Sequence, residues 1–206
     1  MKFNLKIIGI TIAILLFLVP AAFGQIKGIF DEIGDIPEKH TLDVVILEEF
    51  LNFTCPHCNN FRKFSKPLFK KYGARLKKIN IPITFRGQSD QVLRLYFIAE
   101  KAGVGDAVKE AIFDATFSSG YNVNDPRVIG FLARSAGIWD QFKRDANSDW
   151  VNVKILRAKQ RADSVGVRGT PTIVLNGALR MAPRRGMGIF VKNLDNIIGQ
   201  LLKPSS

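Results

Sequence analysis

The sequence predicts an α/β fold in which a block of helices interrupts a β-α-β…β-β-α unit. Three observations carry that prediction. Asp43-Val44-Val45-Ile46-Leu47 is a continuous, β-branched apolar run suited to a buried central strand. From about Ser89 to Ser164 the apolar residues recur at helical spacing. Strand pattern then returns in two short runs around Asn176-Gly177, a strong hairpin signal.

The elements follow in order. Residues 25–40 have no strong period and read as a short helix or turn leading to an edge strand. The central strand continues to about Phe50. Pro56 to Tyr72 reads as one helix, with Phe61, Phe64, Leu68 and Tyr72 on a common face and a kink at Pro67. Ile79 to Phe85 alternates as a strand, and Pro82 favours a sheet edge or an irregularity. In the helical block, Val92, Leu95, Tyr96 and Ala99 mark one helix, closed by Gly103, and Val108, Ala111, Ile112 and Ala115 mark another. Asp125-Pro126 opens a third, an acid at the cap followed by proline at the first helical position. Val128, Ile129 and Leu132 continue it, and Gly137 ends it. Val151, Ile155, Ala158 and Ala162 form a last long helix that stops at Gly166. Thr172–Leu175 and Ala178–Met181 make the hairpin. Residues 188–202 close the chain as a helix with Ile189, Leu194, Ile197, Ile198 and Leu201 on its apolar face.

The beginning of the chain speaks to location. Lys2 and Lys6 precede a 13-residue apolar run from Ile7 to Val19, and Ala22-Phe23-Gly24 supplies small residues for a signal peptidase. The run is short of the ~20 residues that span a bilayer. An uncleaved anchor is the alternative; either way the remainder lies outside the cytoplasm. The net charge is +12, and removal of Lys2 and Lys6 leaves +10. The leader argues against nucleic acid. Anionic lipid head groups or acidic client proteins fit the charge better, beside a plainly solvated basic surface.

Only two cysteines occur, in Cys55-Pro56-His57-Cys58. Cys55 falls where a strand ends and a helix begins. The free first-turn N–H groups and the helix dipole would stabilise its thiolate there. Pro56 suits the first helical position, and His57 adds an N–H or a positive charge. Cys58, one turn on and less exposed, is the resolving thiol. Stabilising the reduced thiolate would make the closed disulfide a stronger oxidant. An inert disulfide would close a very small loop and stabilise little. A metal site using Cys55, Cys58 and His40 or His57 is short of the usual set of ligands. Covalent haem would require His where Asn59 stands. His40 is otherwise a surface or satisfied histidine. Arg184-Arg185 is a solvated basic turn or a contact for an anionic partner. Phe50, Phe53, Phe61 and Phe64 read as core, with Phe53 also a candidate for a client surface.

A second motif, Gly166-Val167-Arg168-Gly169-Thr170-Pro171-Thr172, puts a proline at the entry to a strand. Together with the Cys-x-x-Cys at a helix start it resembles the thioredoxin superfamily. The Pro-His dipeptide, the helical insertion and the leader make the chain similar to the DsbA family of bacterial extracytoplasmic thiol-disulfide oxidoreductases, over about residues 42–202. The resemblance implies a thioredoxin fold with a helical insertion subdomain. Its parts are a signal peptide at 1–24, thioredoxin-like segments at 25–88 and 165–206, and the insertion at 89–164. It implies a cis Thr170–Pro171 bond facing the cysteines, with Thr170 offering its backbone to a client. Glu49, six residues before Cys55, would be a buried acid that assists proton transfer; its other reading, shared with Glu48, is a surface charge at a strand end. The activity implied is donation of the Cys55–Cys58 disulfide to clients with free cysteines, with no bound cofactor and with reoxidation by a DsbB-type membrane partner. Threonine replaces the valine of the family's best-known oxidant before the proline, so reductase or isomerase is the alternative direction. The 30 residues between Gly24 and Cys55 leave no room for the dimerisation domain of the isomerases, so a monomer is expected.

Overall fold

The computed structural model describes residues 25–204, so the expected leader and its expected cleavage point lie outside the described residues. A five-stranded sheet has the order β1-β5-β4-β2-β3. The strands are β1 (Asp31–Glu32), β2 (Val45–Leu51), β3 (Leu76–Pro82), β4 (Thr172–Leu175) and β5 (Leu179–Met181). β2 runs parallel to β3, pairing Val45 with Leu76 through to Leu51 with Pro82, and antiparallel to β4, pairing Leu47 with Leu175. Pro82 ends the outer strand, where a missing N–H costs no ladder bond to a further neighbour. At the opposite edge, residues 25–40 supply β1 itself and form no helix, which corrects the reading of a helix or turn leading to it.

Alternation along the strands sends side chains into two cores. Val45 and Leu47 of β2 and Ile173 and Leu175 of β4 join the apolar face of α8 (Met187–Leu201) and Phe61 and Leu68. Phe50 of β2 and Val174 of β4 enter the second core, shared with the helical insertion. β2 is thus interior, but its start is not covered on both faces: Ile46, and Val44 just before the strand, stay exposed, against the expectation from the apolar run.

The expected kink is a complete break. α1 (Pro56–Phe64) ends at Ser65, whose hydroxyl donates to the Phe61 carbonyl at 2.6 Å, and α2 (Lys66–Tyr72) starts with Pro67 in its first turn. The break divides the predicted face. Phe61 and Leu68 are buried, but Phe64 points outward with 52% exposure. Ile189 of α8 is likewise exposed, while Leu194, Ile197, Ile198 and Leu201 are buried as expected.

The insertion contains α3 (Gln91–Lys101), α4 (Gly105–Phe117), α5 (Pro126–Ser135), α6 (Trp139–Asp145) and α7 (Asp149–Ser164). α3 is its centre, with Leu93, Leu95, Phe97, Ile98 and Ala99 all buried. The Asp125 side chain caps α5 by accepting the Arg127 N–H at 2.8 Å, with Pro126 at the first position. α6 was not anticipated from the sequence. Among the described residues no helix is long and apolar enough to cross a membrane.

Candidate active site

β2 delivers the chain to Cys55, which caps α1 with an extended backbone. The Cys55 carbonyl accepts the N–H groups of Cys58 (3.1 Å) and Asn59 (3.2 Å), so the helix begins immediately after it. The amides of His57 and Cys58, in this first turn, both lie close enough to the sulfur to favour its thiolate. The Cys55 thiol is brought down from 9.0 to about 5. The Cys58 thiol, as a hydrogen-bond donor, is the largest cause; the Thr170 side chain and the amides of Cys58 and His57 add to it, against the effect of partial burial. Cys58 has no exposed surface, and burial first, then the neighbouring Cys55 sulfur, pushes its thiol far up. The two sulfurs therefore differ, one favoured as the thiolate and the other held protonated.

From the other half of the chain comes the loop before β4. The Thr170–Pro171 bond is cis, and the Cys55 thiol donates to the Thr170 carbonyl at 3.1 Å. Arg180 on β5 steadies this loop by donating to the carbonyls of Val165 (2.8 Å) and Gly166 (3.1 Å).

Glu49 is 2% exposed and forms an ion pair with Lys78 on β3. The Lys78 ammonium also lies over the rings of Phe61 (5.7 Å) and Phe69 (5.0 Å). A buried carboxylate requires such a partner. The surface-charge reading thus fails for Glu49. It fails for Glu48 as well, which is bound by Arg161 of α7.

Other candidates separate from the site. His40 offers Nδ1 to the Leu202 carbonyl at 2.9 Å and so belongs to the tie between the first segment and the end of α8. Among the described residues no three His, Cys, Asp or Glu side chains gather as a metal site would need. Phe53 is 1% exposed and packs on Tyr96 and Phe113, with ring centroids 5.7 and 5.4 Å apart, so it is core and lines no client surface.

Two features escaped the sequence. Asn52 is buried, and its N–H donates to the Cys58 sulfur at 3.5 Å. Its side chain accepts from the N–H and hydroxyl of Thr54 and donates to Ile83 and Gln88, which fixes the loop entering Cys55. The Asn-x-Thr spacing in Asn52-Phe53-Thr54 was the available signal, since an Asn side chain readily bonds the backbone two residues on. The second is a groove of about 800 Å³ beside the pair, lined by His57, Asn60, Thr170, Pro171, Met181 and Met187 among others. It is assembled from three distant segments, so no local pattern announces it.

A low-pKa sulfur at a helix start, set against a cis-proline loop on the same sheet, defines a protein of the thioredoxin class. Residues 46–195 match the DSBA-like thioredoxin domain, and the chain belongs to that family. It is similar to the thiol:disulfide interchange protein DsbA of Pseudomonas syringae pv. tomato, 29% identical over 133 residues. That match covers 64% of this chain and 62% of the relative, so the chain spans a little under two thirds of that protein's length. The oxidoreductase DsbA from Xylella fastidiosa has the same fold, with a TM-score of 0.68 at 24% identity over 76% of this chain and 85% of that one. So has a DsbA of Proteus mirabilis solved with the non-covalently bound peptide PWATCDS, with a TM-score of 0.61 at 18% identity over 84% of this chain and 94% of that one.

Proposed function

We propose that the chain is an exported thiol-disulfide oxidoreductase that donates a Cys55–Cys58 disulfide to client proteins. The asymmetry of the two sulfurs is the observation that carries this reading. A client thiolate attacks the Cys55 sulfur, a mixed disulfide forms, and the Cys55–Cys58 bond breaks. Cys58 leaves with the electron pair and takes up a proton, because its buried site disfavours the thiolate. Glu49, buried and paired with Lys78, is the group we assign to assist that proton's passage. The client's second thiolate then attacks the client sulfur, and Cys55 leaves as a thiolate favoured by its pKa of about 5. Two electrons pass from the client to the pair, which serves as the redox centre without a bound cofactor. His57 adds its amide, Pro56 opens the helix, and Thr170 and Pro171 present the edge against which an extended client segment lies. The peptide bound to the Proteus relative supports a client of that form.

The apolar, Lys-flanked leader supports export to the periplasm or an equivalent compartment, with the leader removed or kept as an anchor. Reoxidation falls to a DsbB-type membrane partner, and the protein acts as a monomer. A thiolate stabilised this strongly favours the oxidant direction over reductase or isomerase. Equilibration with glutathione tests it: the potential is expected well above that of the glutathione couple, and a value well below it would overturn the direction. Cys58→Ala is expected to accumulate mixed disulfides with clients at Cys55. If it traps none in the native host while the wild-type protein oxidises a dithiol peptide, the protein-client reading fails.

A further inference from the structure

The groove beside Cys55 carries charge that its own residues do not neutralise. Arg168, Arg180 and Arg184 line it with one acid, Asp31, and His57. Arg180 is fully engaged, since it bonds Val165 and Gly166 and meets Asp31 at 3.2 Å. Arg184 reaches the same carboxylate only at 3.4 Å, and its side chain is 67% exposed. Arg168 is exposed, and among the described residues no hydrogen bond or ion pair holds it. Three guanidiniums thus share with one carboxylate a groove lined by Thr170, whose carbonyl accepts from the Cys55 thiol.

We infer that this groove selects extended client segments bearing acidic side chains next to the reacting cysteine, with Arg168 and Arg184 as the residues that read them. The inference rests on the oxidoreductase reading and specifies which thiols that activity prefers. Arg168 lies two residues before Thr170, whose carbonyl is 3.1 Å from the Cys55 sulfur. Two residues of chain span no more than about 7 Å. A client sulfur bonded to Cys55 therefore brings its neighbouring residues within reach of the Arg168 guanidinium. Arg184, on the segment that leaves β5, supplies a second guanidinium to the same groove. Guanidinium matches carboxylate in a planar, two-point contact, and repulsion of basic segments supplies the other half of the discrimination. A lipid head group would satisfy the same charges. The arginines, however, line the same groove as Thr170 and Pro171, the loop that meets the Cys55 thiol, where a client chain has to lie for exchange to occur.

Oxidised protein is mixed with three cysteine peptides of equal length whose flanking residues are Asp, Asn or Lys. Rates are compared at equal thiolate concentration, because the flanking charges also shift the peptide thiol. At low salt the Asp peptide is expected to react roughly fivefold faster than the Asn peptide, with the Lys peptide slowest, and the ratio is expected to shrink toward one at high salt. The double variant Arg168→Gln/Arg184→Gln is expected to lose the preference already at low salt. A ratio between peptides cancels any change in the reactivity of Cys55 itself. Equal rates for the Asp and Asn peptides in the wild-type protein overturn the charge preference and leave the exchange chemistry standing. A preference that persists in the double variant overturns the assignment to these arginines. A pair that dithiothreitol cannot reduce removes the oxidoreductase reading, and this inference with it.

Discussion

Arg161 of α7 holds Glu48 of β2 through two parallel hydrogen bonds, Nε to Oε1 at 2.9 Å and Nη2 to Oε2 at 2.5 Å. This two-point pair ties the last helix of the insertion to the central sheet. Its neighbour Glu49 points to the opposite face, where Lys78 meets it. Two consecutive carboxylates thus fix the strand that leads to Cys55 from both sides. Replacing Arg161 by Met leaves Glu48 largely buried without its partner. The expected loss is about 1–2 kcal/mol, to be read from urea unfolding.

Lys78→Met is the harsher change, because Glu49 has almost no contact with water. The expected cost is about 3 kcal/mol. Glu49→Gln combined with Lys78→Met removes the stranded charge and is expected to recover a large part of that loss. A double variant no more stable than Lys78→Met would show that the pair does not hold this part of the sheet.

The reduced protein is expected to gain stability with rising pH between about 5 and 9. Cys55 ionises near 5 when folded and near 9.0 when unfolded. The contribution is therefore complete above the unfolded value and lost as pH falls through the folded one. Above about 9 the buried Cys58, held protonated, works in the opposite sense. The oxidised form has neither group. Unfolding midpoints of the two forms at several pH values measure the effect: the difference between them is expected to change across this window, with the thiolate absorbance of the reduced form rising near pH 5.

Gly166→Ala is expected to destabilise by about 1–3 kcal/mol. Gly166 has φ of +65°, and an added Cβ would run into Nη1 of Arg180. The same change disturbs the clamp on the loop before Pro171. A parallel loss of exchange rate with peptide thiols is therefore expected, whereas Gly103→Ala, with φ of +79° but open space around it, is expected to cost stability alone.

The sequence made the site's chemistry more legible than its surroundings. Cys55 and Cys58 took different roles from position alone, since the end of an extended run and the start of a helical period bracket them. The hairpin was equally plain, because Asn176 and Gly177 both adopt positive φ at its turn, although the connection runs to three residues, with Leu175 paired to Leu179. Face assignments were weaker. Phe64 fits the period of its neighbours, but the break at Ser65 assigns Leu68 and Tyr72 to a different helix axis. α6, seven residues of mostly polar sequence, is too short for its period to stand out. The groove arginines come from the Pro171 loop and from beyond β4, and only the folded sheet makes them neighbours.

The position of β2 in the sheet also sets an order of events. Its parallel partner β3 follows within the next stretch of chain, but its antiparallel partner β4 arrives only after the whole insertion, with Leu47 opposite Leu175. Until then a central strand has one open edge, and unpaired edges invite pairing with other chains. Contacts so distant in sequence also form slowly. A polypeptide emerging from its amino end thus presents its cysteines well before the loop and groove that lie beside them in the fold. Until its final segment docks, Cys55 lacks the Thr170 carbonyl that accepts its thiol in the folded protein, and the open edge of the strand persists for that interval.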